Sequence, residues 1–285
     1  MCESCPDDEQ YQILAADLIE ANKKICSLER ELSGLKGSVK LSASEVNLAL
    51  TTGFDELSSL TDCNSMLKKF LNKVIFDQLK ELKTEAKGTL LDCIKSGLEN
   101  PISSIGVYAC DPEAYTLFAP LFDPIIEEYH GFKKDDNHPA CDWGESCKLP
   151  DLDPAGKYIV STRIRCGRSL DGFPFAAILK IEQYEEIRNK LQEAVKSLSG
   201  DLKGKFYSLE AMTKEMKKQL IEEHILFKED DKYLSSANAC RFWPISRGIF
   251  INDAKTFAIW CNEEDHVRII SMESGANISK VSLFL

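Results

Sequence analysis

Apolar residues in this chain recur first at helical spacing and later at strand spacing. Leu14, Leu18, Ala21, Ile25, Leu28, Leu32 and Leu35 step by alternating four and three, with Tyr11 and Val39 extending the register, and that is an a/d heptad repeat. With Leu18, Ile25 and Leu32 at a, Lys24 and Glu31 at g face Glu29 and Lys36 at e, two pairs of opposite charge, which favours a parallel homodimer through residues 11–38. A helix packed on the body of the protein satisfies the same pattern. Gly34 and Gly37 weaken its end, and the small, polar Gly37–Ser44 stretch reads as a linker.

Leu57, Leu60, Met66, Leu67, Phe70, Leu71, Ile75, Phe76, Leu79 and Leu82 then keep helical periodicity until Gly88. The pattern predicts a small all-α domain over 41–135. Pro139, Gly144, Pro150, Pro154 and Gly156 mark 136–156 as an extended linker. Beyond it, Lys157–Val160 read as the start of a strand continuing through Arg163, with helices from about Glu182 to Leu198 and Lys214 to Glu223. Three apolar runs follow at 240–243, 248–251 and 257–260, and hairpin signals at Asn252-Asp253 and Asn262 predict an antiparallel sheet. The fold class is therefore α+β: an N-terminal helix (1–40), a small all-α domain (41–135), a linker and an antiparallel-sheet α+β domain (157–285).

Two clusters carry chemistry. In Ser161-Thr162-Arg163-Ile164-Arg165-Cys166-Gly167-Arg168-Ser169, strand alternation puts Ser161, Arg163 and Arg165 on one face. Paired guanidinium forks on a rigid strand form an anion clamp, most simply for a triphosphate. A solvated face pairing with surface acids is the plainer reading. In Trp260-Cys261-Asn262-Glu263-Glu264-Asp265-His266-Val267-Arg268, three consecutive acids end an apolar run. A carboxylate there can grip a cation while Arg268 joins the clamp, although a polar hairpin between buried strands explains the pattern equally well.

With Ala114–Pro124 and Ala237–Pro244, these strings resemble the phosphagen (ATP:guanido) kinase family over residues 43 to 281, nearest to its arginine-using members. The resemblance implies reversible transfer of the ATP γ-phosphoryl group to a guanidino nitrogen, in a catalytic domain of the glutamine-synthetase-like type. It implies a nucleotide site of Ser161, Thr162, Arg163, Ile164, Arg165, His224 beside the adenine, and Arg268. Glu264 matches the catalytic carboxylate that grips the guanidinium and takes its proton. Ser104, Ile105, Gly106, Val107 and Tyr108 match the substrate-selecting loop, short as in arginine users. ATP/ADP with Mg²⁺ is implied as cofactor, and no metal ligand set is proposed from the protein itself. Ser104 stands where glycine is expected, which leaves taurocyamine and lombricine users open and places a Cβ near the substrate carboxylate contact. Ile102 and Lys232 replace an Asp and an Arg that bridge the family's two domains.

The resemblance stops after Val281, short of the family's reactive cysteine loop, two later arginines and mobile substrate loop. Loss of one preorganised donor costs roughly 10²- to 10³-fold in rate, so the chain as written is expected to turn over negligibly. Strands in the Lys255–Met272 region are expected to be left with an unpaired apolar edge. The alternative function is a non-catalytic, dimerising binder of nucleotide or guanidine. Cys240 and Cys261 read as core thiols.

Composition narrows the classes. Over 285 residues, 46 acidic against 35 basic residues give a net charge of −11, which argues against nucleic acid as a partner. No stretch reaches the roughly 20 apolar residues of a membrane span. Eleven scattered cysteines without a leader pattern read as reduced thiols in a cytoplasmic protein.

Overall fold

The computed structural model describes residues 41–137, 139–140, 149–223, 225–227 and 231–282, together with six positions of the N-terminal segment. Those six, Glu20, Ala21, Lys24, Ser27, Leu28 and Glu31, are helical and exposed. The rest of the heptad segment and the pairing predicted for it lie outside the described residues.

The first folded part is all helical: α1 (Ala43–Ser59), α2 (Met66–Phe70), α3 (Lys73–Leu79), α4 (Leu90–Glu99), α5 (Ala114–Leu117) and α6 (Ala119–His130). Local chemistry sets the starts. Ser42 with Glu45 and Thr89 with Asp92 close capping boxes, satisfying orphan N–H groups at the first turns of α1 and α4. Leu50, Phe54, Leu67, Phe76, Leu90, Ile94, Phe118 and Leu121 form its core.

The second part is a five-stranded antiparallel sheet in the order β1-β5-β4-β3-β2, built from β1 (Ser161–Arg168), β2 (Gly204–Ser208), β3 (Gly248–Asn252), β4 (Phe257–Cys261) and β5 (Val267–Ser274). Helix α7 (Ile181–Val195) covers one face through Tyr184, Ile187 and Leu191 against Phe250, Phe257, Ile259 and Cys261. Helix α8 (Lys214–Glu222) and Ile225–Phe227 cover the other through Leu220, Ile225 and Phe227 against Ile249, Ile251, Ala258, Trp260 and Ile270. Short helices α9 (Lys232–Ser236) and α10 (Ile278–Ser282) complete the described part.

Three sequence expectations are corrected. The strand begins at Ser161, because the N–H groups of Tyr158 and Ile159 donate to Asp153 Oδ2 at 2.5 and 2.8 Å and are not free to join a ladder. The run at 240–243 is a series of turns, with Asn238, Phe242 and Ser246 at φ of 58°, 60° and 56°, outside the extended region. The Lys255–Met272 region has no open edge: β4 lies between β3 and β5, and β5 between β4 and β1. Strand β2, only five residues long and beginning at a half-buried glycine, carried no clear alternation and is an addition to the predicted elements.

Candidate active site

The register of β1 on β5 sets Arg163 opposite Met272, Arg165 opposite Ile270 and Gly167 opposite Arg268; β4 in turn sets Trp260 opposite Arg268. Directly paired residues share a face, so Ser161, Arg163, Arg165, Arg268 and Trp260 stand together, while Thr162 and Ile164 point to the other side. The Trp260 ring is the platform. The guanidinium carbons of Arg165 and Arg268 each lie 5.7 Å from its centroid, within cation–π range. Its indole Nε1 donates to the Ile225 carbonyl at 2.7 Å. Arg163 Nη2 donates to the Glu223 carbonyl at 3.1 Å. Both neighbours of residue 224 are thus tied to the arginine face; His224 itself lies outside the described residues.

The acidic hairpin between β4 and β5 turns at Asn262, whose φ is 59°. Asn262 Nδ2 donates to the carbonyls of Tyr184 and Ser246 at 3.0 and 2.8 Å, and its backbone N–H to the His266 carbonyl at 3.0 Å. The buried His266 closes the other end. Its Nδ1 accepts from Leu170 N–H at 2.9 Å and its Nε2 meets the Pro174 carbonyl at 2.9 Å, which assigns the Nε2–H tautomer. Burial lowers its pKa.

Between these anchors the carboxylates converge on Arg268. Glu263 bonds Nη1 at 3.0 Å, Glu264 bonds Nη2 at 3.0 Å, and Asp265 bonds Nε at 2.8 Å and Nη2 at 2.7 Å. Burial works against the Arg268 charge, yet Glu263, Asp265 and Glu264 outweigh it and raise its pKa. Burial raises the Glu263 carboxyl despite Arg268 beside it. Glu264 is the most exposed of the three acids, its side chain 44% accessible against 13% and 29% for Glu263 and Asp265.

Glu264 and Asp265 line a cavity of about 360 Å³ whose opposite wall is the predicted substrate loop, through Ile105, Val107 and Tyr108, with Tyr115, Tyr129 and His130 beyond. The two walls belong to different parts of the fold. The loop is seated by backbone bonds: Met66 N–H to Ser104 O and Leu67 N–H to Ile105 O at 2.9 Å, and Tyr108 N–H to Cys93 O at 2.8 Å. Gly97 of α4 makes room for it, since a Cβ there would lie 2.2 Å from Gly106 O and 2.7 Å from Gly106 Cα. Gly106 is therefore buried against α4, Ser104 is exposed, and neither lines the cavity. Burial, then the charges of Glu264 and Asp231, raise the Tyr108 pKa.

In place of an Ile102–Lys232 bridge, α4 and α9 are joined by Ser96 Oγ to Tyr233 O at 2.9 Å, Asn100 Nδ2 to Ser236 Oγ at 3.0 Å and Lys95 Nζ to Ser236 O at 3.3 Å. Ile102 is exposed, and Lys232 Nζ lies 4.8 Å from the Tyr233 ring. Cys261 is fully buried, its thiol pushed up to about 12, and burial likewise raises Cys240. Sequence reading assigned no role to Trp260, Asp265, Gly167 or His266. Among them only Trp260 carried a signal, a large aromatic closing a strand beside a charged turn.

Arginines on one sheet face thus adjoin a cavity lined by two carboxylates, Glu264 and Asp265. Family comparisons give the class. The ATP:guanido phosphotransferase N-terminal domain matches residues 61–127 and its C-terminal catalytic domain residues 186–283; the chain belongs to this phosphagen kinase family.

Curated relatives similar to it include arginine kinases, with 56% identity to that of Artemia franciscana and 55% to that of Callinectes sapidus, each over 233 residues. These alignments cover 81% of this chain, which spans 65% of the relatives' length. Among solved structures, the duplicated taurocyamine kinase of Schistosoma mansoni superposes with a TM-score of 0.77 at 34% identity, covering 85% of this chain and 33% of that one. A lombricine kinase superposes with a TM-score of 0.71 at 36% identity, covering 77% and 60%. Among the described residues, no helix is long and apolar enough to cross a membrane.

Proposed function

We propose that the chain supplies the nucleotide and guanidine grips of an ATP:guanidino phosphotransferase whose substrate is arginine. The observation that supports this most is the placing of Arg163, Arg165 and Arg268 on one sheet face around Trp260, beside the cavity shared by Glu264 and the 104–108 loop. Arginine is favoured over other guanidines because the 55–56% identical relatives are arginine kinases, whereas the taurocyamine and lombricine kinases stand at 34–36%.

The roles follow from charge. Phosphoryl transfer passes through a loose transition state with charge spread on equatorial oxygens, so the protein mainly positions two ligands and neutralises anions. Ser161, Arg163, Arg165 and Arg268 take the phosphates, with the Thr162 and Ile164 backbone completing the strand, and His224 sits beside the adenine. Glu264 leaves Arg268 to align the substrate guanidinium and accept its proton, without which the nitrogen cannot attack. Ile105, Val107 and Tyr108 measure the substrate. Mg²⁺ fits as an ion carried on the nucleotide's own phosphates and waters, where it neutralises charge; Glu263, Glu264 and Asp265 are engaged with Arg268. The setting is cytoplasmic, and residues 11–38 pair two copies in parallel; light scattering on the whole chain then gives twice the monomer mass, and Leu28→Lys halves it.

Calorimetric titration with MgADP and with arginine, beside a coupled turnover assay, tests the assignment. Arg165→Ala is expected to abolish MgADP binding and Glu264→Gln arginine binding. A chain that binds neither ligand refutes the proposal, and binding without turnover leaves the non-catalytic binder.

A further inference from the structure

The three carboxylates around Arg268 are not equivalent. Glu264 and Asp265 both line the cavity, but Glu264 is the more exposed and holds Arg268 through one nitrogen only; Glu263 touches a single nitrogen from its buried seat. Asp265 alone reaches two nitrogens of the guanidinium, Nε and Nη2, both through its Oδ2, and so holds the side edge of the group. It can do so because it lies on Gly167, the residue directly across the ladder from Arg268. A Cβ at Gly167 would stand 2.3 Å from Asp265 Oδ2 and 2.7 Å from its Cγ, so any side chain there would take the carboxylate's place.

We propose that Asp265, seated on Gly167, is a positioning residue of this site: it holds the Arg268 guanidinium in the phosphate-receiving orientation over Trp260 when Glu264 turns to the guanidine. The inference rests on the phosphate role given to Arg268 above. Nε and one Nη2 hydrogen stay with Asp265, and the bond that Glu264 vacates on Nη2 becomes a donor for a phosphate oxygen. Without Asp265 the long Arg268 side chain would regain rotamer freedom that phosphate binding must then remove.

Charge alone predicts the opposite. Removing a carboxylate beside a bound polyanion lowers repulsion and should tighten nucleotide binding, so the sign of one substitution decides between the two. MgADP is titrated into the whole chain by calorimetry at fixed ionic strength, for wild type, Asp265→Asn, Gly167→Ala and Arg268→Ala, each checked by thermal melting. Asp265→Asn is expected to weaken MgADP roughly 10- to 100-fold, the scale on which loss of an orienting partner lowers a site's affinity. Arginine binding is expected to fall by less than MgADP binding, since Glu264 keeps its charge although Asp265 also lines the cavity; a general loss of structure would weaken both alike. Gly167→Ala, which changes no charge, is expected to move MgADP in the same direction. If Asp265→Asn binds MgADP as well as or better than wild type while Arg268→Ala weakens it, the positioning role is overturned and the phosphate role of Arg268 stands. If Arg268→Ala binds MgADP normally, or wild type does not bind it, the assignment of the site itself fails.

Discussion

Gly97→Ala sets two forces against each other. Alanine in place of glycine inside a helix stabilises by about 0.5–1 kcal/mol, and on that ground alone the variant of α4 should melt higher. The added methyl, however, meets backbone: 2.2 Å to Gly106 O and 2.7 Å to Gly106 Cα, with Leu67 Cδ2 at 2.7 Å. To restore ordinary contact, α4 and the 104–108 loop must part by about 1 Å, and overpacking of this kind costs about 1–3 kcal/mol. The net expectation is a loss of about 1–2 kcal/mol, or roughly 2–3 °C of melting temperature in a chain of this size. Because Ile105, Val107 and Tyr108 ride on the displaced loop, arginine affinity should fall with it, by up to about 10²-fold if the shift is transmitted in full. Thermal melting by circular dichroism and arginine calorimetry measure both. A variant that melts higher and binds arginine like wild type would show that the loop is not held by the Gly97–Gly106 contact.

Asn262→Ala strands the buried carbonyls of Tyr184 and Ser246 and leaves alanine at a φ of 59°; a loss on the order of 2–3 kcal/mol is expected in denaturant melts, with the acidic hairpin displaced and arginine binding lost. His266 is held neutral by burial, its pKa lowered in the fold. Its contribution is thus complete above the unfolded value near 6.5 and is lost as pH falls through the folded one, so melting temperature should drop between pH 7 and 5 more steeply in wild type than in His266→Gln. Cys261, buried and pushed up to about 12, should resist alkylation at pH 8 in the folded chain and react on unfolding, as thiolate availability controls the rate.

The arginine face was legible in the sequence because strand alternation is a two-residue rule: once Ser161–Arg168 is a strand, Arg163 and Arg165 must agree in direction. That Arg268 joins them depends on register between strands a hundred residues apart; the acidic cluster offered it as one of two readings, and the family resemblance favoured it. Helix limits were read closely for α7 and α8, whose apolar spacing is regular. The 240–243 run misled because apolar content without alternation cannot tell a buried turn from a strand. Here Arg247, fully buried, threads the turns by donating to the carbonyls of Arg241 and Ala239. The acidic hairpin's internal order was invisible for a similar reason. How each acid meets Arg268 and the cavity follows from Asn262 and His266, whose partners Tyr184, Ser246, Leu170 and Pro174 are distant in the chain.

The indole of Trp260 lies under two guanidinium groups and hydrogen-bonds the segment on its far side. Indole emission responds to nearby charge, and the chain has three tryptophans in all. Arrival of a polyanion will therefore register as a change in fluorescence at this one ring, and Trp243→Phe with Trp143→Phe yields a single-reporter protein that signals its own occupancy without any added label.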